Sequence, residues 1–412
     1  VHGRTPVEFS GPVAGSELIG PEAGAMGTLN NCANGYTPWG TYLTCEENFN
    51  GYFGTSDSSW TPSDEQARYG LSAGGFGYSW HVFDERFDLA SDSHPNEENR
   101  FGWIVEVDPF NPEANPVKRT AMGRFKHEGV ALVEGRGGRV VGYMGDDERF
   151  DYIYKFVSAG NWRFMRAQGV SPLDNGTLYA AKFNDDGTGE WLELSLRNPA
   201  IAARFSSEAE MLTYTRIAAD LAGATPMDRP EWTSVGADGT VYCTLTNNSR
   251  REEADAANPQ APNPDGHIIR WRDSNRHVGR SFTWEIFLLS SDTHGTERSV
   301  ASPDGIWVDP DNRVFIQTDG AQKDGLNDQL LIANGNQSGD DIEISRLFTG
   351  VTGCEVTGIA VTPNRRTLFV NLQHPGNGDP SVTNFPAAQG SGTIPRDCTI
   401  VITRKDGGVV GS

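Results

Sequence analysis

The chain has 412 residues, 37% hydrophobic and 22% charged, with a formal net charge of −21. So acidic a surface argues against nucleic acid as a partner, because phosphate backbones recruit basic surfaces. No apolar run approaches the roughly 18 residues that a membrane span needs, and the 48 glycines and 23 prolines favour many turns over long helices.

The chain opens VHGRTPVEFSGPVAG. It lacks a basic stretch followed by an apolar one, so no signal peptide is expected within it; a cytosolic protein and a trimmed mature form both read this way. The first strand-like run ends in Thr44-Cys45-Glu46-Glu47-Asn48. Strand alternation sends neighbours to opposite faces, and adjacent carboxylates repel. A cation nearby would rationalise the arrangement. Residues 57–99 and 251–265 are rich in Ser, Asn, Pro and charge and are expected as loops or insertions. Short β-branched and aromatic runs at 102–107, 139–143, 177–181, 240–245, 313–317 and 367–372 are expected as strands. Helical signals are confined to 199–205, 207–212 and 215–221.

Four stretches share one frame of strand, tight turn and strand: ALVEGRGGRVVGYMGDD, SVGADGTVYCTLTNN, WVDPDNRVFIQTDG and AVTPNRRTLFVNLQH. Spaced antiparallel hairpins point to an all-β chain of propeller blades, not to alternating βαβ units. Their second strands end in polar residues (Asp146-Asp147, Asn247-Asn248, Thr318-Asp319, Gln373-His374), as the Cys45 strand does. In a ring of blades such ends would collect oxygen ligands at one channel mouth. A single domain over 1–412 is expected, with loop and short helical insertions.

Five pieces combine carboxylates with Gly, Pro or basic residues: Cys45-Glu46-Glu47, GRFKHEG around Glu128, Asp228-Arg229-Pro230-Glu231-Trp232, Ser302-Pro303-Asp304-Gly305, and GCEVTG with NLQHP near Glu355 and His374. Carboxylates without a matching set of histidines suit hard cations such as Ca2+, whereas a thiolate points to a transition metal such as iron. The residues themselves leave two readings open: Cys45 as metal donor or as buried core thiol, and Arg229 with Glu231 as functional pair or solvated ion pair. Cys243 and Cys354 lie in or beside strands and are expected in the core. Five cysteines, with no metal-knuckle spacing, leave at least one without a disulfide. Nucleotide-binding glycine loops, the GxSxG elbow and HExxH are all missing.

Taken together, NNCANGYTPWGTYLTCEENFNGYFG, the run RFGWIVEVDPFNPEANPVKRTAMGRFKHEGVAL, GDDERFDYIYKFVS, ATPMDRPEW and TLFVNLQHPG resemble the PhoX-type alkaline phosphatases from near residue 1 to about residue 405. The resemblance implies a six-bladed β-propeller that hydrolyses phosphate monoesters with ferric iron (Fe3+) and Ca2+. It implies export in folded form by the twin-arginine route to the periplasm or cell exterior. Carried over residue by residue, Cys45 resembles the iron ligand. Glu46, Glu47, Glu128, Glu231 and Asp304 resemble carboxylate ligands, with Asp319 and Glu355 as alternatives to Asp304. Arg229 resembles the phosphate-binding arginine; with Cys45 it makes up the expected catalytic pair. Phosphate-ester small molecules are the expected partners, and a monomer the expected state. Two other readings stay in view: a calcium-dependent lactonase-like propeller hydrolase, which would need no thiolate, and a non-catalytic binding propeller.

Overall fold

Strands supply most of the regular structure, and the longest α-helix among the described residues has eight residues. The computed structural model describes residues 2–20, 25–339 and 342–412. Chain contacts divide into two compact units, Val1–Met227 with Asp273–Phe282, and Asp228–Arg272 with Thr283–Ser412.

In the first unit, β1 (His2–Ser10), β2 (Ala25–Gly27), β3 (Asn31–Tyr36), β4 (Tyr42–Glu46), β5 (Ile104–Val107) and β6 (Val117–Arg119) form a sheet in the order β2-β1-β6-β5-β4-β3. Only the β1–β6 pair is parallel there. Next come β7 (Ala131–Glu134), β8 (Val140–Gly145), β9 (Ile153–Ser158), β10 (Gly176–Phe183) and β11 (Thr188–Glu193), each antiparallel to the one before. Leu43, Trp103, Ile104, Met122, Phe125 and Tyr154 are part of its main core.

β12 (Pro230–Val235) and β13 (Thr240–Leu245) lie in the second unit, as do β14 (His267–Asp273) up to Arg272 and β15 (Ser281–Leu289) from Thr283, the four in sequential order. That unit also holds β16 (Pro303–Val308), β17 (Arg313–Thr318), β18 (Gln329–Asn334) and β19 (Ile344–Thr349), then β20 (Glu355–Val361), β21 (Thr367–Gln373) and β22 (Cys398–Thr403). Buried Phe315, Leu330, Val356, Leu368, Val370 and Leu372 pack together there.

All four hairpins expected from the repeated frame are present as β7–β8, β12–β13, β16–β17 and β20–β21. Their turns need a residue at positive φ to return the chain. Gly239 fills that place in β12–β13 (φ 84°), and Asn312 and Arg365 fill it in the next two (φ 61° and 57°). The three helical stretches form α3 (Pro199–Arg204), α4 (Glu208–Thr213) and α5 (Thr215–Ala222). α2 (Trp162–Ala167) was not foreseen.

Residues 57–99 form an insertion between β4 and β5, as expected, with short helical turns of its own. Ser63 and Gln66 form a reciprocal capping box on α1 (Asp64–Arg68), and Phe49, Phe53, Tyr69, Leu71, Phe87 and Phe101 bury into a core of their own. No disulfide joins any of the five cysteines, and Cys243 and Cys354 are buried as expected. Among the described residues no helix is long and apolar enough to cross a membrane.

Candidate metal centre

Four hairpins repeat one irregularity. In β3–β4 the pairing passes from Asn31–Glu46 to Asn34–Thr44, so the first strand carries one residue more than its partner. The same extra residue separates Pro230–Leu245 from Thr233–Cys243, and Pro303–Thr318 from Ile306–Ile316. It recurs between the His127–Asp146 bridge and Ala131–Tyr143. A bulge of this kind re-aims a side chain that regular alternation would send elsewhere. The residue just inside each bulge is Cys32, Glu231, Asp304 and Glu128 in turn. Three of these were expected ligands; Cys32 was missed. A signal was available: Cys32 precedes Gly40 by the same interval as Glu231 precedes Gly239 and Asp304 precedes Asn312, all turn residues at positive φ.

Within the first unit, one ligand atom each of Cys32, Glu47 and Glu128 lies within 4.8 Å of the other two. The Cys32 thiol donates to Glu128 Oε1 at 2.9 Å. Asn30 Nδ2 donates to Glu47 Oε2 at 2.9 Å, and the Glu47 amide donates to the Asn30 carbonyl at 3.1 Å. The backbone of Glu128 is held on both sides, its amide donating to Gly145 and its carbonyl accepting from Ala33. Both carboxylates are buried while Cys32 stays exposed. Two buried acids beside a thiol repel one another unless protonated or neutralised by a cation. The donor set fits a metal: soft sulfur suits iron, and the oxygens suit iron or calcium.

Cys45 and Glu46 sit elsewhere, contrary to the sequence expectation. Cys45 pairs with Ile104 across β4–β5 and is wholly buried in the apolar core with Leu43, Trp103 and Met122. Burial pushes its thiol well above the ordinary range, and the charges of Glu128 and Glu46 add to this, so the thiolate a metal needs is disfavoured. The Glu46 carboxylate is saturated. Oε1 accepts from the Leu29 amide (3.0 Å) and Lys118 Nζ (2.8 Å). Oε2 accepts from the Gly102 and Trp103 amides (3.0 and 3.1 Å) and Lys118 Nζ (3.0 Å). Alternation turns Glu46 away from its two neighbours; Glu47 lies beyond the end of β4, and of the three it is the one gathered with Cys32 and Glu128.

In the second unit, Arg229 adopts positive φ (59°) directly before β12. Its guanidinium lies 3.0 Å from Glu231 Oε1, which also accepts from the Thr246 hydroxyl at 2.7 Å. Carboxylate oxygens of Glu231 and Asp304 come within 4.8 Å of each other. The Thr246 oxygen also lies 3.1 Å from the Pro303 carbonyl, and Thr244 donates to the carbonyl of Asp304, so the end of β13 and the residue after it position both acids. Next to Arg229, buried Asp228 accepts from Arg251 Nε (2.6 Å) and Asn263 Nδ2 (2.9 Å). The alternatives Asp319 and Glu355 gather with His374, all three within 4.8 Å. His374 Nε2 is 3.4 Å from Glu355 Oε2, and that hydrogen bond holds its imidazole up at about 9.

The profile of the family described as "Alkaline phosphatase PhoX" matches residues 1–376. Pseudomonas fluorescens PhoX, solved in complex with vanadate, a transition state analogue, is 44% identical over all of this chain and 76% of that one, with a TM-score of 0.90. Aldose sugar dehydrogenase from Streptomyces coelicolor is 10% identical over 92% of this chain and 95% of its own, with a TM-score of 0.32. A protein of unknown function from Dyadobacter fermentans is 11% identical over 93% and 80%, with a TM-score of 0.39. No curated protein sequence matches significantly. The family profile and the identity to the Pseudomonas enzyme agree: this chain belongs to the PhoX family of alkaline phosphatases, enzymes that release inorganic phosphate from phosphate monoesters.

Proposed function

We propose that this phosphatase works with ferric iron and Ca2+, and that Cys32, not Cys45, supplies the thiolate. The observation that carries this reading is the convergence of Cys32, Glu47 and Glu128 within 4.8 Å. Glu47 and Glu128 are ligands from the first unit, and Glu231 and Asp304 are ligands from the second. Bound cations would offset the negative charge of the phosphoryl oxygens during in-line displacement. Arg229 orients the phosphoryl group with its planar fork and matches two oxygens at once. Glu231 holds that fork from one side. The positive φ of Arg229 points the same way, since strained backbone gathers at functional positions. Vanadate, bound by the Pseudomonas enzyme, is expected to inhibit competitively here.

The finer architecture belongs to the same proposal. The repeated hairpins with ligands at one register support blades of a single six-bladed β-propeller. The enzyme acts on small phosphate esters as a monomer, after twin-arginine export to the periplasm or beyond. A calcium-only lactonase-like hydrolase would have no use for the Cys32 thiol.

Elemental analysis of wild type, Cys32→Ala and Cys45→Ala tests the assignment. Iron and calcium in the wild type, iron lost from Cys32→Ala and kept in Cys45→Ala, is the expected outcome. Iron lost only from Cys45→Ala would overturn it.

A further inference from the structure

We propose that Phe76 and Tyr78 form an aromatic wall that receives the leaving group of the ester, so that the enzyme prefers phosphates of aromatic alcohols. The inference rests on the phosphatase reading and deepens it. Residues 72–83 fold back over the segment that follows the Cys45 strand. The Phe76 amide donates to the Gly51 carbonyl (3.0 Å) and the Thr55 amide to that of Ala73 (2.8 Å). The approach is so close that a Cβ on Gly51 would overlap the Phe76 ring. The wall is therefore built in and held, not a stray loop.

Its rings are tiled edge to face. Tyr52 contacts Tyr78 (centroids 5.1 Å) and Trp80 (4.8 Å), and Phe76 contacts Tyr78 (6.1 Å). Yet Phe76 and Tyr78 remain 47% and 48% exposed. Large aromatic surface left open beside a polar centre marks a binding surface.

Two short links join the wall to the proposed ligands. The Tyr52 hydroxyl donates to Asn30 Oδ1 at 3.2 Å, and Asn30 Nδ2 donates to Glu47. Lys126 Nζ lies 5.8 Å from the Phe76 centroid, two residues before Glu128. An ester whose phosphoryl group sits on cations held by Glu47 and Glu128 would have its organic part on the side of these rings. Carboxylates and cations give that part nothing apolar to rest on; the wall does. An aromatic leaving group stacks there, whereas a small polyol gains little.

The test compares kcat/KM for phenyl phosphate and for glycerol 2-phosphate in wild type and in Phe76→Ala/Tyr78→Ala, with metal content measured in parallel. The phenyl-to-glycerol ratio is expected to fall about tenfold, the size of a lost aromatic contact, with metal retained. Phe76→Leu/Tyr78→Leu gives the same comparison if the alanine pair does not fold. An unchanged ratio would overturn the subsite and leave the phosphatase reading intact. Sedimentation velocity adds a second way to fail: a dimer that the variant dissolves, with the ratio unchanged, would assign the rings to a second copy of this chain. A wild type that hydrolyses neither ester would overturn the phosphatase reading and the subsite with it.

Discussion

Glu46 separates a metal ligand from a structural pin. Replacing it with alanine strands the Lys118 ammonium, which has no exposed surface. Breaking a buried ion pair from one side costs about 3–5 kcal/mol. Here the low end applies, because Lys118 Nζ keeps the Arg100 carbonyl at 2.6 Å and the Phe101 ring at 4.2 Å. The amides of Leu29, Gly102 and Trp103 also lose their acceptor. Each buried orphan donor costs about 1–3 kcal/mol when nothing replaces the bond, but the space vacated by the side chain admits water, so about 1 kcal/mol is added for the set. The sum is roughly 4 kcal/mol, against a typical domain stability of about 5–15 kcal/mol. Urea unfolding of metal-stripped wild type, Glu46→Ala and Glu46→Gln/Lys118→Met reads it directly. The double variant removes both charges and is expected to recover most of the loss. Iron and calcium content of untreated Glu46→Ala is expected to match wild type. A variant that loses metal while its unfolding midpoint stays put would refute the pin and restore Glu46 as a ligand.

Arg229→Ala is expected to lower kcat/KM about 100-fold, the range for deleting a charge-stabilising donor, while elemental analysis finds the metals still bound. Gly35→Ala places a Cβ against the Val130 carbonyl; it is expected to push β3 from the 128–130 segment and lower iron occupancy with every ligand still present, read by the Fe content per chain. Asp328 accepts from the Thr318 hydroxyl, the Gly320 amide and Gln322, and burial raises its carboxyl from 3.8 to about 7. The folded chain therefore holds a proton that the unfolded chain releases above 3.8. This group's contribution is fully present below 3.8 and is lost as pH rises toward 7; Asp328→Asn is expected to flatten that slope in unfolding curves taken across this window.

Much of the fold was legible because its signals are local. Turn residues at Gly239 and Asn312, and β-branched runs beside them, report hairpins without knowledge of the rest of the chain. The insertion at 57–99 was legible but its small core was not: Tyr69, Leu71 and Phe87 are spread thinly among Ser, Asp and Gly, and only tertiary packing collects them with Phe53. Glu128, Glu231 and Asp304 could be singled out through the family resemblance, but which thiol lies beside Glu128 could not. That depends on whether a strand is regular at one position.

The Cys32 and Cys45 exchange shows why. Both cysteines lie in paired strands of one hairpin, each with a carboxylate-rich sequence in reach. In a regular ladder, parity alone would decide which side chains share a face. The bulge between Asn31 and Asn34 breaks parity on β3 while β4 keeps it, so Cys45 stays with Leu43 in the core and Cys32 is released toward Glu128. A bulge leaves almost no mark in a single stretch of sequence, since it is a property of two strands. It becomes visible only when hairpins are laid over one another by their turns, and then Cys32 falls in register with Glu231 and Asp304. The repeat thus carries a signal at a level above the motif: one irregular position, reused in successive hairpins, re-aims the side chain just inside it.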